Sequence, residues 1–297
     1  MKILNRRQFI VRGAGLTGLA VLGSGLNDLT FAKGTNLMVD KVKLGKTGLK
    51  VSRIAMGTGT TGGNRQSNFT RMGMQDFMKL AKHNWEKGIR FFDMADSYGS
   101  HTYVREILKE VPRENATLMS KMWTTDTRWQ KLEPVSKTLD RFRTETGSDY
   151  FDILLMHCLV NGNWKNEKKE IMDGFSEAKQ KGIVKTVGVS CHNFDALKVA
   201  VDEPWVDVIL ARINPFGTHM DGTPEQIMAL LETARKNGKG IIGMKIFGNG
   251  DNTSDAEREK SLNFALKCEN IHCITLGMEK VDQIDDAISR TMRIVKG

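Results

Sequence analysis

The sequence has few of the residues that hold metals or build disulfide-bonded scaffolds. Its 297 residues include four cysteines and six histidines, and these form neither a CxxC pair nor an HExxH motif. We therefore expect no structural zinc or iron–sulfur site. Only five prolines and no low-complexity segment are present, which excludes a disordered or fibrous chain. The length suits a single α/β barrel, which needs about 250 residues.

The chain also lacks a concentrated positive surface. Its formal net charge is +9, and four of the 44 basic residues but only one of the 35 acidic residues lie within the first 32 positions. The remaining charges are of mixed sign, without a cluster of Lys and Arg interleaved with aromatic residues. Such a surface is typical of a solvated globular protein, so we expect no nucleic acid as a partner.

The N-terminal apolar stretch is too short for a membrane-spanning helix. Residues 13–26 give about 14 positions, whereas roughly 20 are needed to span a bilayer. The stretch follows Arg6-Arg7 and precedes Thr30-Phe31-Ala32, whose small residues suit a signal peptidase. The segment resembles a twin-arginine export signal, and a permanent membrane helix is the alternative.

This resemblance divides the chain into two parts. We expect residues 1–32 to be a signal peptide that is cleaved after Ala32, and residues 33–297 to form the mature domain. The twin-arginine translocation machinery would then be a partner, and the mature protein would be periplasmic without a stable membrane span. Because this route carries folded proteins, a cofactor could be bound before export.

From residue 40 onward, short apolar stretches alternate with amphipathic ones at intervals of about 30 residues, which is the pattern of repeated βα units. The predicted strands are 53–57, 91–94, 118–122, 151–156, 184–189, 206–210, 240–244 and 273–276. The predicted helices are 74–87, 104–111, 131–144, 167–181, 194–201, 224–236, 256–266 and 281–295. This alternation predicts a (β/α)8 TIM barrel. A doubly wound sheet is the alternative architecture, but the sequence has no phosphate loop for it.

Two segments outside the repeats carry turn signals. Residues 40–51, with Gly-Lys-Thr-Gly at the centre, predict a β-hairpin that closes the barrel floor. The glycine-rich run 57–63 could be taken for a dinucleotide fingerprint, but that motif opens a helix directly, and here a polar loop intervenes. The run predicts a loop at the barrel mouth after the first barrel strand.

Four polar residues lie at the ends of three successive predicted strands. They are Asp93 and Tyr98 after the second barrel strand, Lys121 at the third and His157 at the fourth. Each alone has a structural explanation, since a histidine at a strand end is usually a hydrogen-bonded core residue. Barrel enzymes place their sites at this end of the strands, so we expect the four side chains to converge.

Together these four residues can serve the reduction of a carbonyl group. Hydride addition leaves an alkoxide that needs a proton, and Tyr98 can supply one if its pKa of about 10 is lowered. We expect the ammonium of Lys121 to lower that pKa, Asp93 to pair with Lys121, and His157 to orient the substrate oxygen.

The four residues, in this order, resemble the catalytic tetrad of the aldo-keto reductase family. The likeness extends from Asp40 to about residue 290. It implies an NAD(P)H-dependent oxidoreductase with Tyr98 as general acid and a small carbonyl compound as substrate. Trp123 matches an aromatic residue that lines the substrate pocket in the family, and a core tryptophan is the alternative.

The resemblance also implies contacts to the cofactor, with three departures from the family pattern. Cys191 stands where an Asn usually follows Ser190, Leu210 or Ala211 takes the place of a Gln, and Met244 replaces a Tyr that stacks on the nicotinamide. Met244 would give a softer, apolar contact. The implied cofactor-binding residues are Gly57, Thr58, Ser190, Cys191, Met244, Lys245, Phe247, Gly277, Lys280 and Gln283.

The turn into the last predicted helix distinguishes two cofactors. A helix N-terminus suits a phosphate group. Lys280 could bind the 2′-phosphate of NADPH, which the family prefers, whereas Glu279 would repel it. We therefore expect NADPH, with NADH as the alternative.

The predicted export leaves other functions open. Reduced nicotinamide is not expected in the periplasm, so a tightly bound cofactor that does redox-neutral chemistry on a sugar-like substrate is one alternative. A nucleotide-binding module with little turnover, as in the potassium-channel β subunits of the same family, is another. Cys158 and Cys191, on neighbouring strand ends, could form a disulfide in an oxidising compartment or remain independent buried thiols.

Overall fold

The computed structural model describes residues 39–297, and the predicted signal peptide lies outside this range. The strands are β1 (Lys41–Lys43), β2 (Lys50–Ser52), β3 (Ile54–Gly57), β4 (Phe91–Asp93), β5 (Thr117–Trp123), β6 (Phe151–Leu159), β7 (Val184–Cys191), β8 (Val208–Arg212), β9 (Gly240–Met244) and β10 (Cys273–Leu276). Strands β3 to β10 are parallel neighbours, and β10 pairs with β3 to close the barrel. The predicted (β/α)8 fold is confirmed.

Side chains alternate along the barrel strands between the barrel interior and the surrounding helices. Ala55 and Phe91 belong to the interior cluster, whereas their neighbours Ile54 and Phe92 belong to the outer core. This is the period of two that strand geometry imposes. Because both faces are buried, the strands form nearly continuous apolar runs, which is why the sequence located each strand start within two residues.

The hairpin of β1 and β2 closes the N-terminal end of the barrel, as predicted. The two strands pair antiparallel, with Val42 opposite Val51. Leu44 and Val51 belong to the interior cluster, and the N–H of Lys46 donates to the carbonyl of Gly238, just before β9, at 2.8 Å. The hairpin therefore lies at the end of the barrel opposite the C-terminal ends of its strands.

The helices of the described part cover the outside of the barrel. They are α1 (Asn68–Arg71), α2 (Met74–Glu86), α3 (His101–Leu108), α4 (Val135–Thr146), α5 (Trp164–Glu167), α6 (Lys169–Gln180), α7 (Phe194–Asp202), α8 (Pro224–Lys236), α9 (Asp255–Leu266) and α10 (Val281–Lys296). Ser254 caps α9 and forms a capping box with Glu257. Between residues 39 and 297, no helix combines the length and the apolar character that crossing a bilayer requires.

Several boundaries differ from the predictions for local reasons. Helix α4 begins four residues late because Pro134, which precedes it, has extended backbone with ψ 141°. The short helices α1 and α5 were not predicted. Strands β6 and β7 continue past their predicted ends because His157 and Ser190 are polar yet buried, so they interrupted the apolar pattern without ending the strands.

Candidate active site

The barrel brings the four predicted catalytic residues together at its C-terminal mouth. Asp93 ends β4, Lys121 lies in β5 and His157 in β6, while Tyr98 ends a 3₁₀ turn after β4. Nζ of Lys121 lies 4.8 Å from the centroid of the Tyr98 ring. The rings of Tyr98 and His157 meet edge to face, with 5.5 Å between their centroids. The expected convergence is therefore present.

A buried ion pair forms the floor of this cluster. Lys121 is 1% exposed, and its Nζ donates to Oδ1 of Asp93 and, at 3.0 Å, to the carbonyl of Met94. Oγ1 of Thr275 donates to the other carboxylate oxygen of Asp93 at 2.8 Å. Burial lowers the pKa of Lys121, but Asp93 and then Tyr98 raise it by more, so the net shift is upward. Lys121 is therefore a fixed positive charge beside the phenol.

The pKa of Tyr98 is raised, and the expectation of a lowered value is wrong. Burial of the phenol raises this pKa, and the charge of Lys121 lowers it by less. From the sequence only the charge of Lys121 could be considered, because a sequence does not show how deeply a phenol is buried. A raised pKa keeps the proton on Tyr98 at neutral pH, which is the form that can donate to a carbonyl oxygen.

His157 is a neutral group beside Tyr98. Burial lowers its pKa well below the usual value, and the charges of Lys121, His192 and Lys245 lower it further. A neutral imidazole offers one donor and one acceptor nitrogen, so His157 can hydrogen-bond a substrate oxygen. The Trp123 ring meets His157 edge to face at 5.2 Å, which places Trp123 next to the catalytic cluster.

A cavity of about 650 Å³ opens beside the cluster. Ligand sites commonly measure about 300–1,000 Å³, so this one can hold a cofactor. Asp93 and Tyr98 line it, together with seven of the predicted cofactor residues, which are Gly57, Met244, Lys245, Phe247, Gly277, Lys280 and Gln283. Most of the predicted cofactor-binding residues therefore line the same cavity.

The other three predicted cofactor residues do not line this cavity. Thr58 is fully buried, and its hydroxyl donates to the carbonyl of Asp93 at 2.8 Å, so it supports the end of β4. Ser190 is also fully buried, and its hydroxyl has no hydrogen-bond partner within residues 39–297. Cys191 is a buried free thiol whose pKa is raised by burial, and Cys158 is a half-buried free thiol.

The far end of the cavity is formed by the N-terminus of α10. Lys280 precedes this helix and forms no salt bridge in the described part of the chain. Glu279 accepts a hydrogen bond from the side-chain amide of Asn68 at 2.8 Å, and its N–H donates to the side chain of Gln283 at 2.7 Å. Arg258 also lines this end, although its charge is paired with Asp286 at 3.1 Å. Arg258 was not predicted, because nothing in the sequence pattern of α9 distinguishes it from a surface residue.

Lys245 lies between the two ends of the cavity in an unusual backbone conformation. Its φ is 58°, and the side-chain amide of the buried Asn214 donates to its carbonyl at 3.1 Å. Burial, then the charges of Arg212 and Lys121, lower its pKa. Non-glycine residues in the left-handed region cost energy and are frequent at ligand sites, and the role of Lys245 in binding a cofactor stays a prediction.

Known proteins resemble this chain in sequence and in fold. The chain matches the profile of the Aldo/keto reductase family over residues 53–288. It is 27% identical to L-galactose dehydrogenase of Arabidopsis thaliana over 248 residues, which cover 79% of this chain and 75% of that protein. It is 25% identical to NAD(P)H-dependent D-xylose reductase xyl1 of Aspergillus niger over 195 residues, which cover 56% of this chain and 58% of that protein. The chain therefore spans little more than half the length of several of its curated relatives.

Solved structures agree on the architecture. The aldo-keto reductase AKR11C1 from Bacillus halodurans superposes with a TM-score of 0.67 at 15% identity, covering 87% of this chain and 95% of that chain. At this identity the likeness shows the fold alone. The family profile, by contrast, covers most of the sequence and all four catalytic candidates. The chain belongs to the aldo-keto reductase family.

Proposed function

We propose that this protein reduces an aldehyde or ketone with a nicotinamide cofactor and that Tyr98 is the general acid. The observation that carries the proposal is the position of Tyr98, which lies beside the buried Lys121–Asp93 pair and lines the large cavity. A proton donor, a fixed positive charge and a space for a hydride donor then share one site.

The residues around the cavity fit a nicotinamide dinucleotide. Ser190 lies outside the cavity lining, but its buried hydroxyl has no partner in the described residues, and a carboxamide that reached it would satisfy it. The uncapped N-terminus of α10 offers N–H groups to phosphate oxygens, and the ammonium of Lys245 adds charge. When bound, the reduced nicotinamide supplies the hydride.

The chain's own residues supply the proton. The O–H of Tyr98 donates its proton to the substrate oxygen as negative charge develops there. Lys121 stabilises the phenolate that remains, and Asp93, whose carboxylate accepts a hydrogen bond from Thr275, holds the ammonium in position. Neutral His157 orients the same substrate oxygen.

The charges at the end of the cavity support NADPH as the cofactor. Lys280 is not paired with a carboxylate in the described part of the chain, so its charge is available to a 2′-phosphate. Glu279 opposes this preference, but its carboxylate is held by Asn68. We infer a moderate preference for NADPH over NADH.

The names of two relatives indicate a class of substrate to test first. L-galactose dehydrogenase and D-xylose reductase are both named for sugars, so we propose sugar-derived carbonyl compounds as the first class to test. The assay follows the loss of reduced nicotinamide absorbance with a panel of sugars and aromatic aldehydes. Turnover of at least one carbonyl compound is expected. A protein that binds the cofactor but oxidises it with none of them would contradict the proposal.

We further propose export by the twin-arginine route, on the strength of Arg6-Arg7 and the short apolar stretch. N-terminal sequencing of protein from the periplasmic fraction should give a start after Ala32. Protein that stays in the cytoplasm, or that keeps Met1 after export, would contradict this signal assignment.

A further inference from the structure

We propose that Gly59 and Gly62 are positioning residues for Tyr98, because the tight turn that they form lies across the phenol ring and sets where its hydroxyl lies. The turn is closed by a hydrogen bond from the N–H of Gly62 to the carbonyl of Gly59, 3.0 Å long. It belongs to the loop at residues 58–67, which leads from β3 to α1. The inference rests on the proposed role of Tyr98 as the proton donor.

A side chain at either glycine would collide with the ring of Tyr98. A Cβ atom at Gly59 would overlap Cε2 and Cζ of the ring. One at Gly62 would lie 2.7 Å from Cδ1 and 3.1 Å from Cε1 of the ring, and 2.8 Å from the carbonyl oxygen of Gly59. Carbon atoms in contact are normally about 3.5–4.0 Å apart. The two glycines therefore contact the two halves of the ring, and the turn spans its width.

Glycine is needed here for space and not for backbone conformation. Neither Gly59 nor Gly62 has a positive φ, so alanine is compatible with the backbone at both. The next residue, Gly63, also lacks a positive φ, and no atom of the described chain lies within 4 Å of where its Cβ would be. Gly62 is exposed, so an added methyl group there meets the Tyr98 ring and the carbonyl oxygen of Gly59, and not the protein core.

The first end of the loop is fastened to the segment that carries Tyr98. The N–H of Thr58 donates to the carbonyl of Asp93 at 3.0 Å. The hydroxyl of Thr58 lies 2.7 Å from that of Ser100, two residues after Tyr98, and both side chains are fully buried. The loop therefore cannot shift at this end without breaking buried hydrogen bonds, which is costly.

The second end of the loop is held by Arg65. Its Nε lies 3.2 Å from the carboxylate of Asp96, which begins the turn ending in Tyr98 and is 1% exposed. Arg141 holds the same carboxylate with two hydrogen bonds, of 2.9 and 2.7 Å. Gly99, with φ 65°, lies against the carbonyl of Arg65, and a Cβ there would overlap that oxygen. Since both ends are fixed, we expect an added methyl group at Gly62 to displace the ring as well as to strain the turn, whose Gly59 carbonyl it also meets.

The test compares Gly62→Ala with Gly63→Ala as the matched control. The chain has only three tyrosines, so NMR of isotope-labelled tyrosine gives three signals, and the Tyr98→Phe variant assigns one of them. In Gly62→Ala we expect the Tyr98 signal to move, kcat to fall by about tenfold to a hundredfold, and the Kd of the cofactor to stay unchanged. In Gly63→Ala all three quantities should equal the wild type.

The outcomes separate the positioning role from the proposed activity. An unmoved Tyr98 signal in Gly62→Ala, or an equal loss of kcat in Gly63→Ala, would overturn the positioning role. If Gly62→Ala does not fold, Arg65→Ala releases the exposed end of the loop, and an unmoved signal there would overturn it as well. A wild-type protein without reductase activity would overturn the proposed function, while the tyrosine signal would still decide the positioning role.

Discussion

Replacing Asp93 by Asn should reveal how strongly the buried ion pair holds the active site. Asp93 is 5% exposed and Lys121 is 1% exposed, and the lysine ammonium donates to the carboxylate. The substitution keeps the shape of the side chain but removes its negative charge. The ammonium is then left buried beside a phenol and a backbone carbonyl, without a counter-charge.

The expected loss follows from that uncompensated charge. Removing one partner of a buried ion pair typically costs about 3–5 kcal/mol of unfolding free energy. Lys121 can limit the cost by releasing its proton. Burial lowers the pKa of Lys121, and in the wild type the charge of Asp93 is the largest effect that raises it again. In the wild type the pKa of Lys121 is higher in the folded state than in the unfolded state, where it is 10.5. This difference stabilises the fold at pH values below 10.5, and the stabilisation is lost as the pH rises through the pKa of the folded state. In Asp93→Asn the loss of unfolding free energy is present at neutral pH, and it shrinks as the pH approaches the pKa of Lys121 in the unfolded state.

Denaturant unfolding at neutral pH and at about pH 10 measures this dependence. We expect Asp93→Asn to lose about 3–5 kcal/mol at neutral pH and clearly less at the higher pH. Lys121→Met in the Asp93→Asn background should recover part of the loss, because it removes the uncompensated charge. Asp140→Asn, which affects an exposed pair with Arg143, is the control and should change little. A penalty of similar size at both pH values would refute the reasoning.

Three further predictions concern the cofactor, pH and the thiols. Lys280→Gln should weaken NADPH binding at least about tenfold more than NADH binding, and Glu279→Gln should strengthen NADPH binding. Fluorescence titration measures both affinities, and equal effects on the two cofactors would argue against a contact with the 2′-phosphate. The pKa of His157 is lowered from its usual value of 6.5, so the unfolded state binds the proton first and the free energy of unfolding should fall as the pH drops below 6.5. His157→Asn should reduce this slope, and an unchanged slope would show that His157 is not responsible. Since Cys158 and Cys191 are free thiols in the structure, the intact mass should not change on reduction, whereas a gain of two hydrogens would reveal a disulfide.

Elements whose signal is local could be predicted from the sequence. The barrel strands were located because burial on both faces makes them apolar throughout, as in β9, where the predicted and observed bounds agree. The end of α2 was marked by Gly88, which has φ 90°. The order of Asp93, Tyr98, Lys121 and His157 on successive strands was sufficient to place them at one end of the barrel.

Contacts between distant segments could not be predicted in this way. The turn at Gly59 and Gly62 meets a tyrosine more than 30 residues later, and no spacing rule connects the two. The ion pair of Arg65 with Asp96 depends on the path of the same loop. The direction of the Tyr98 pKa shift could not be predicted, because the burial that raises this pKa depends on the path of the loop at residues 58–67. The nearby Lys121, which lowers the pKa, could be inferred from strand order alone.

The central claim is that Tyr98 delivers the proton, and Tyr98→Phe tests it most directly. Phenylalanine keeps the ring that fits beneath the turn at Gly59 and removes only the hydroxyl. Cofactor affinity, measured by fluorescence titration, should match the wild type, while carbonyl reduction in a single turnover should fall by at least about a hundredfold. Reduction at the wild-type rate in Tyr98→Phe would contradict the account, because another group would then have to supply the proton.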